Sequence, residues 1–176
     1  MMHARLGAVF LAATLAFAAA APAHSAATLT DPQIAHIAYT ADAIDIKAAN
    51  LALKKSKNQD VIAFAKNMVS DHQAVNDKAL ALVKKLKVTP RDNDTSKALV
   101  KQANAEAAKL GKLKGAAFDK AYAANELAYH KTVNHALEAT LIPDAKNPEL
   151  KDLLSTGLKI FEGHQEHAAM LVDELK

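Results

Sequence analysis

The residues best suited to chemistry are imidazole and carboxylate side chains that interrupt otherwise apolar helical stripes. Between Asp60 and Val75, apolar residues recur at steps of three and four, a spacing typical of one buried helical face. His72 occupies a position where the spacing of the stripe predicts an apolar residue, and Asp71 directly precedes His72. Because burying such groups without partners is costly, we expect other helices to supply the partners.

Polar residues of the same kind interrupt three further segments. Glu126 and His130 are four residues apart on one helical face, so both side chains project toward a common centre. His164 lies inside the apolar stripe of the last segment, and Asp45 lies beside the stripe of the first. The sequence therefore predicts that several helices direct polar groups into one core.

Imidazole and carboxylate groups on facing helices suit a divalent metal ion such as zinc, iron or manganese. The candidate ligands share inward positions on four predicted helices: His72, His130, His164, Glu126, Asp45 and Asp71. Asp71 would be either a ligand or a hydrogen-bond acceptor that orients an imidazole. The alternative hypothesis is a metal-free hydrogen-bond network of the same buried groups.

The segments that carry these residues are predicted to be helices. Apolar spacing and capping residues indicate four long helices and a shorter third one, and no alternating run indicates a strand. The predicted segments are one that begins after Thr30, then 59–87, 96–113, one from Ala116 that ends at Pro143, and one that begins at Asn147. The predicted fold is an all-α, antiparallel four-helix bundle with one additional shorter helix.

The N-terminus resembles a secretory signal peptide, with an early positive charge, an apolar run and a small-x-small cleavage pattern. We expect cleavage after Ala23, with Ala26 or Ala27 as alternatives. The predicted parts are a signal peptide at 1–23, a short lead at 24–30 and a single helical domain at 31–176. The expected product is an exported protein, periplasmic or secreted.

The amino-acid composition excludes some classes of function and disfavours others. The chain has no cysteine, which excludes disulfides and thiolate metal sites, and it has neither a phosphate-binding glycine loop nor an activated serine motif. Arg91 is the one arginine after the signal peptide and aromatic residues are few, so nucleic-acid binding is disfavoured. No later apolar run has membrane-spanning length, which predicts no integral membrane segment and leaves peripheral association with the envelope open.

Two short motifs carry a family resemblance. The Met-x-x-Asp-His element that ends at His72 and the Phe-Asp-x-x-Tyr element that starts at Phe118, together with His130 and His164, resemble the exported bacterial family DUF4142 over about 34–171. The resemblance implies a ferritin-like four-helix core and an unknown function. Asp45 stands where the family usually has glutamate, which shortens the reach of that candidate ligand.

A ferritin-like fold raises the hypothesis of a di-iron oxidoreductase, but the spacing disfavours it. A di-iron centre in a four-helix bundle typically contains a Glu-x-x-His element on each of two helices. Val69 stands three residues before His72 and Phe161 three residues before His164, so that element is missing from both helices. Three hypotheses result, in order: a metal-binding exported bundle without a catalytic residue, a metal-free structural or stress-related protein that binds a partner, and an oxidoreductase.

Overall fold

The computed structural model describes residues 28–176, and this part of the chain is helical without a strand. The predicted all-α class is therefore confirmed. The helices are α1 Asp31–Lys55, α2 Gln59–Leu86, α3 Asp94–Lys112, α4 Gly115–Ala136, α5 Ile142–Asp144 and α6 Pro148–Glu174. The predicted signal peptide at 1–23 and the first part of the lead lie outside the described residues. None of the described helices is long and apolar enough to cross a membrane.

Side-chain caps set the starts of the long helices. At the start of α1, the side-chain oxygen Oε1 of Gln33 accepts from the backbone N–H of Thr30 at 3.1 Å. The side chains of Asn58 and Asn147 each accept from two backbone N–H groups in the first turns of α2 and α6. These bonds satisfy donors that a helix start would otherwise leave free, and the predicted start of the last helix at Asn147 is confirmed.

The four long helices α1, α2, α4 and α6 pack around a core that has two apolar parts. One part contains Phe64, Met68, Phe118, Tyr122 and Leu171, and the other contains Ile34, Ile37, Leu137, Leu154 and Phe161. In each of the four helices, residues of one part precede the polar positions and residues of the other part follow them. The polar side chains therefore form a layer between two apolar blocks.

The third helix covers the bundle only partly. It packs mainly on α1, and its two fully buried residues, Ser96 and Leu110, lie near its two ends. The backbone carbonyl of Gly111 accepts from Lys55 Nζ at 2.7 Å, and the Ser96 hydroxyl lies 3.0 Å from His36 Nδ1. A gap therefore remains between the middle of α3 and the helices α1 and α4.

One feature of the fourth helix differs from the prediction. The sequence predicts a continuous helix up to Pro143, but α4 ends at Ala136 and a π-helical turn, Leu137–Leu141, leads into α5. The backbone N–H of Ile142 donates to the carbonyl of Leu137, and Pro143 has no N–H to continue the regular ladder. The wider turn keeps Leu137 and Leu141 buried on the same side of the bundle.

Candidate metal centre

The polar layer brings together five of the six predicted site residues. Single side-chain atoms of His72, His130 and His164 all lie within 4.8 Å of one another, as do single atoms of Asp45, Glu126 and His130. All five residues are buried, with exposed fractions between 0% and 6%. The four long helices thus bring three imidazoles and two carboxylates into two adjacent groups that share His130.

His72 is oriented by an acidic residue that the sequence pattern missed. Its Nδ1–H donates to Asp42 Oδ1 at 2.9 Å, and Asp42 is itself buried. Asp42 precedes Asp45 by three residues, so both carboxylates lie on the same face of α1. That spacing was the available sequence signal. With Nδ1 held by Asp42, the Nε2 atom of His72 faces the centre.

The other two imidazoles are oriented in the same way. His130 Nδ1–H donates to the backbone carbonyl of Glu126 at 3.0 Å, and His164 Nε2–H donates to Asp71 Oδ2 at 3.0 Å. A carbonyl and a carboxylate oxygen can only accept, so each bond assigns the proton to that nitrogen. The free lone pairs are then on His130 Nε2 and His164 Nδ1. Such outer partners are typical of metal-bound histidines.

Two roles were predicted for Asp71, a metal ligand or a hydrogen-bond acceptor that orients an imidazole, and the geometry matches the second. Its side chain is 46% exposed and contacts the outer nitrogen of His164. Asp71 therefore orients an imidazole from the solvent side of α2 and does not belong to the converging group.

Five buried atoms at the centre lack a hydrogen-bond partner. They are Asp45 Oδ1, Glu126 Oε2, His72 Nε2, His130 Nε2 and His164 Nδ1. Asp45 Oδ2 lies 3.1 Å from His72 Nε2 and 3.4 Å from His130 Nε2, but neither contact is aligned as a hydrogen bond. Buried polar atoms are usually paired, so this group of unpaired atoms requires an explanation.

Aromatic packing holds the rings in place. The Phe161 ring stacks on His72 with centroids 4.6 Å apart and planes 15° apart. The three imidazole centroids lie 5.2 to 5.7 Å from one another. The apolar ring therefore closes the centre on one side and limits rotation of His72.

Burial and pairing set the charges around His72 in the absence of an ion. Burial disfavours the imidazolium, but the hydrogen bond to Asp42 and the close carboxylate of Asp45 outweigh it and raise the pKa of His72 to about 9. Burial likewise opposes ionisation of Asp45, yet contacts with His72 and then His130 hold its pKa at about 2. Burial raises the pKa of Asp42 despite its bond to His72. The metal-free centre thus holds an imidazolium between two acidic residues.

The remaining members of the centre stay neutral. Burial, followed by the charge of Asp45, raises the pKa of Glu126 well above its usual range. Burial lowers the pKa of His130, and it lowers that of His164 to about 4 although Asp71 partly offsets the effect. Two neutral imidazoles with inward lone pairs are already in the protonation state that metal ligation requires.

The model of one protein family, described as a domain of unknown function (DUF4142), matches residues 16–171. The chain belongs to the DUF4142 family. The resemblance noted from the sequence motifs is thereby confirmed. Among the curated proteins and the solved structures, no match to this DUF4142 chain was found. The family description assigns no activity, so the function of this DUF4142 protein has to be argued from its own residues.

Proposed function

We propose that this DUF4142 chain is an exported helical bundle that binds one divalent metal ion, zinc, iron or manganese, in its polar layer. The observation that supports the proposal is that four helices contribute five buried ligand atoms without a hydrogen bond, in two adjacent groups that share His130. The proposed ligands are His72 Nε2, His130 Nε2, His164 Nδ1, Asp45 and Glu126. Export is inferred from the signal-peptide pattern of residues 1–23.

The donor set favours borderline divalent ions. Imidazole nitrogens with carboxylate oxygens suit zinc, iron or manganese, and the chain has no thiolate that would favour softer ions. Each imidazole uses its other nitrogen to hold a protein acceptor, which keeps the ring fixed before an ion arrives. The two carboxylates supply negative charge that would offset the charge of the ion.

The metal-free network explains only part of this arrangement. It accounts for His72, whose two nitrogens face Asp42 and Asp45. A proton on Glu126 shared with Asp45 would pair two of the carboxylate oxygens. His130 Nε2 and His164 Nδ1 would still face the centre without a partner. A metal ion uses both of these lone pairs, so we favour the metal-binding hypothesis.

Metal content of the mature protein tests the proposal. The protein is purified from the exported fraction without an affinity tag, and zinc, iron and manganese are measured by elemental analysis. We expect close to one equivalent of one of these ions. We also expect thermal stability to fall on addition of a chelator and to return with the same ion.

Matched variants separate the buried site from adventitious surface binding. In a variant with both His72→Ala and His130→Ala, bound metal should be lost. His135 lies on α4 like His130 but is exposed, so His135→Ala is the control and should keep the ion. A parent protein that contains no metal and gains no stability from any of the three ions would refute the proposal. Retention of metal in the double variant would refute the assignment of the ligands.

A further inference from the structure

A cavity of about 620 Å³ lies between α1, α3 and α4, on the side of the bundle that α3 covers only partly. This volume is within the range of sites for small organic molecules. Three residues that the sequence placed in the buried stripe of α1 line it: Ile44, Ala48 and Leu51. They are half-buried, because α3 touches α1 mainly near its ends. These three residues, which the sequence pattern assigned to the buried face of α1, therefore form one wall of a groove.

The accessible inner surface of this groove is mostly apolar. Leu99, Val100 and Ala103 of α3 and Val133 of α4 face Ile44, Ala48 and Leu51 across the space. Val100 is 41% exposed, which is unusual for a valine that has helices on two sides. Asp45 and Glu126 form the back wall but are only 2% and 0% exposed. A molecule in the groove therefore has almost no direct contact with their carboxyl groups.

The rim of the groove is positively charged. Lys47 and Lys54 line its edge on α1, and both are exposed. They are seven residues apart, about 10 Å along one helical face. Among the described residues neither lysine has a carboxylate partner, whereas Glu106 on the opposite edge is paired with Lys109 at 2.8 Å. Two unpaired ammonium groups therefore flank an apolar interior.

We propose that this groove binds a free single-chain anionic amphiphile, a fatty-acid-like carboxylate. The hydrocarbon chain would lie between α1, α3 and α4, where apolar burial favours it. The carboxylate would remain at the rim beside Lys47 and Lys54. An inward carboxylate is disfavoured, because it would lose its hydration in the apolar interior, away from both lysines. Asp45 and Glu126 border both proposed sites, but their unpaired oxygens, Asp45 Oδ1 and Glu126 Oε2, are buried, so laurate binding does not require the metal ion.

Binding of laurate, measured by titration calorimetry, tests the proposal directly. The comparison ligand is dodecyltrimethylammonium, which has the same chain with a cationic head. We expect laurate to bind with one site and the cation to bind at least roughly tenfold more weakly, because the rim lysines attract the first and repel the second. Equal affinity for the two ligands would overturn the assignment of the rim.

Two variants place the ligand in the groove. A variant with both Lys47→Glu and Lys54→Glu should weaken laurate binding by roughly tenfold or more and should favour the cation. The control carries Lys66→Glu and Lys159→Glu, two exposed lysines on α2 and α6 outside the groove, and should bind laurate like the parent. If both double variants lose affinity equally, the effect is one of net charge and the proposal fails.

A third variant blocks the interior. Ala103→Phe places a ring in the groove and should abolish laurate binding while helical content stays unchanged in circular dichroism. If this variant fails to fold, the lysine variants still decide the outcome, because their substitutions are on the surface. Binding to anionic phosphatidylglycerol vesicles without binding to free laurate would also overturn the proposal. It would indicate that the lysines of the rim contact anionic membranes.

Discussion

His72 Nδ1 lies 2.9 Å from Asp42 Oδ1, so a buried carboxylate holds the ring of the most central histidine. Replacing this acceptor tests whether the bond orients a metal ligand. In Asp42→Asn we expect metal affinity to fall by about tenfold to a hundredfold, because the neutral amide polarises and orients the imidazole less well. Competition with a chromophoric chelator measures the affinity. Asp152→Asn, an exposed change on α6, is the matched control and should leave it unchanged.

The metal-free protein should lose stability as the pH rises from neutral to about 9. The pKa of His72 is about 9 in the folded chain and 6.5 as its ordinary value. The stabilisation from the charged ring is therefore fully present below about pH 6.5 and is lost as pH rises through about 9. It amounts to about 3 kcal/mol. Urea unfolding of chelator-treated protein at several pH values measures it, and an unchanged free energy of unfolding across this range would contradict the charge assignment.

The metal-loaded protein should show the opposite trend over the same pH range. Ligation needs the lone pair of His72 Nε2, so binding must displace a proton from that ring. Glu126 is also protonated in the metal-free centre, so its ligation displaces a second proton. Affinity should rise by up to about tenfold per pH unit for each proton displaced, with the His72 contribution ending at about pH 9. Chelator competition at each pH measures the slope. A pH-independent affinity would show that His72 is not a ligand.

Glu126 offers a nearly isosteric test of the oxygen ligands. Because burial and Asp45 keep the Glu126 side chain protonated, Glu126→Gln leaves the charge of the metal-free centre unchanged. We expect the thermal midpoint of the metal-free variant to stay close to that of the parent, while stabilisation by added metal is lost or strongly reduced. A variant that responds to metal like the parent would remove Glu126 from the ligand set.

Two glycines in α6, Gly157 buried and Gly163 exposed, test the packing next to the centre. A Cβ added at Gly163 meets no atom within 4 Å, so Gly163→Ala should stabilise the protein by about 0.5–1 kcal/mol through helix propensity. A Cβ at Gly157 comes to 3.4 Å from the Phe161 ring, so Gly157→Ala should increase the stability of the protein by a smaller amount. Thermal unfolding of both variants provides the comparison. A larger gain at Gly157 than at Gly163 would contradict the described packing around Phe161.

The inward positions of His72 and His164 could be predicted because these residues interrupt strong apolar stripes. His72 lies between Met68 and Val75, and His164 lies between Phe161 and Ala168, so each imidazole stands out against large apolar neighbours. Packing then confirms that these faces are buried. Where large apolar residues mark a helical face, the inward position of a polar residue can be predicted without knowledge of the partner helix.

The prediction was weaker where alanine dominates. In α1 the buried face passes through Ala41, Asp45, Ala49 and Ala52, while the sequence pattern favoured larger residues such as Ile44. Alanines on several faces give little periodic contrast, and the incomplete cover by α3 leaves large side chains half-exposed. Asp42 was missed for this reason. The π-helical turn was not predictable either, because it depends on how the chain after α4 packs near Pro143.

His164 is the most exposed of the proposed ligands, and its outer nitrogen bonds to a side chain that is itself 46% exposed. Rotation of Asp71 into solvent would release this imidazole while the apolar blocks above and below stay packed. An ion could then enter or leave by a local motion of the Asp71 side chain of α2 and the His164 side chain of α6, without opening of the bundle. The lifetime of the bound ion would depend on this surface pair more than on global unfolding, and ion exchange would be faster than the burial of the other ligands suggests.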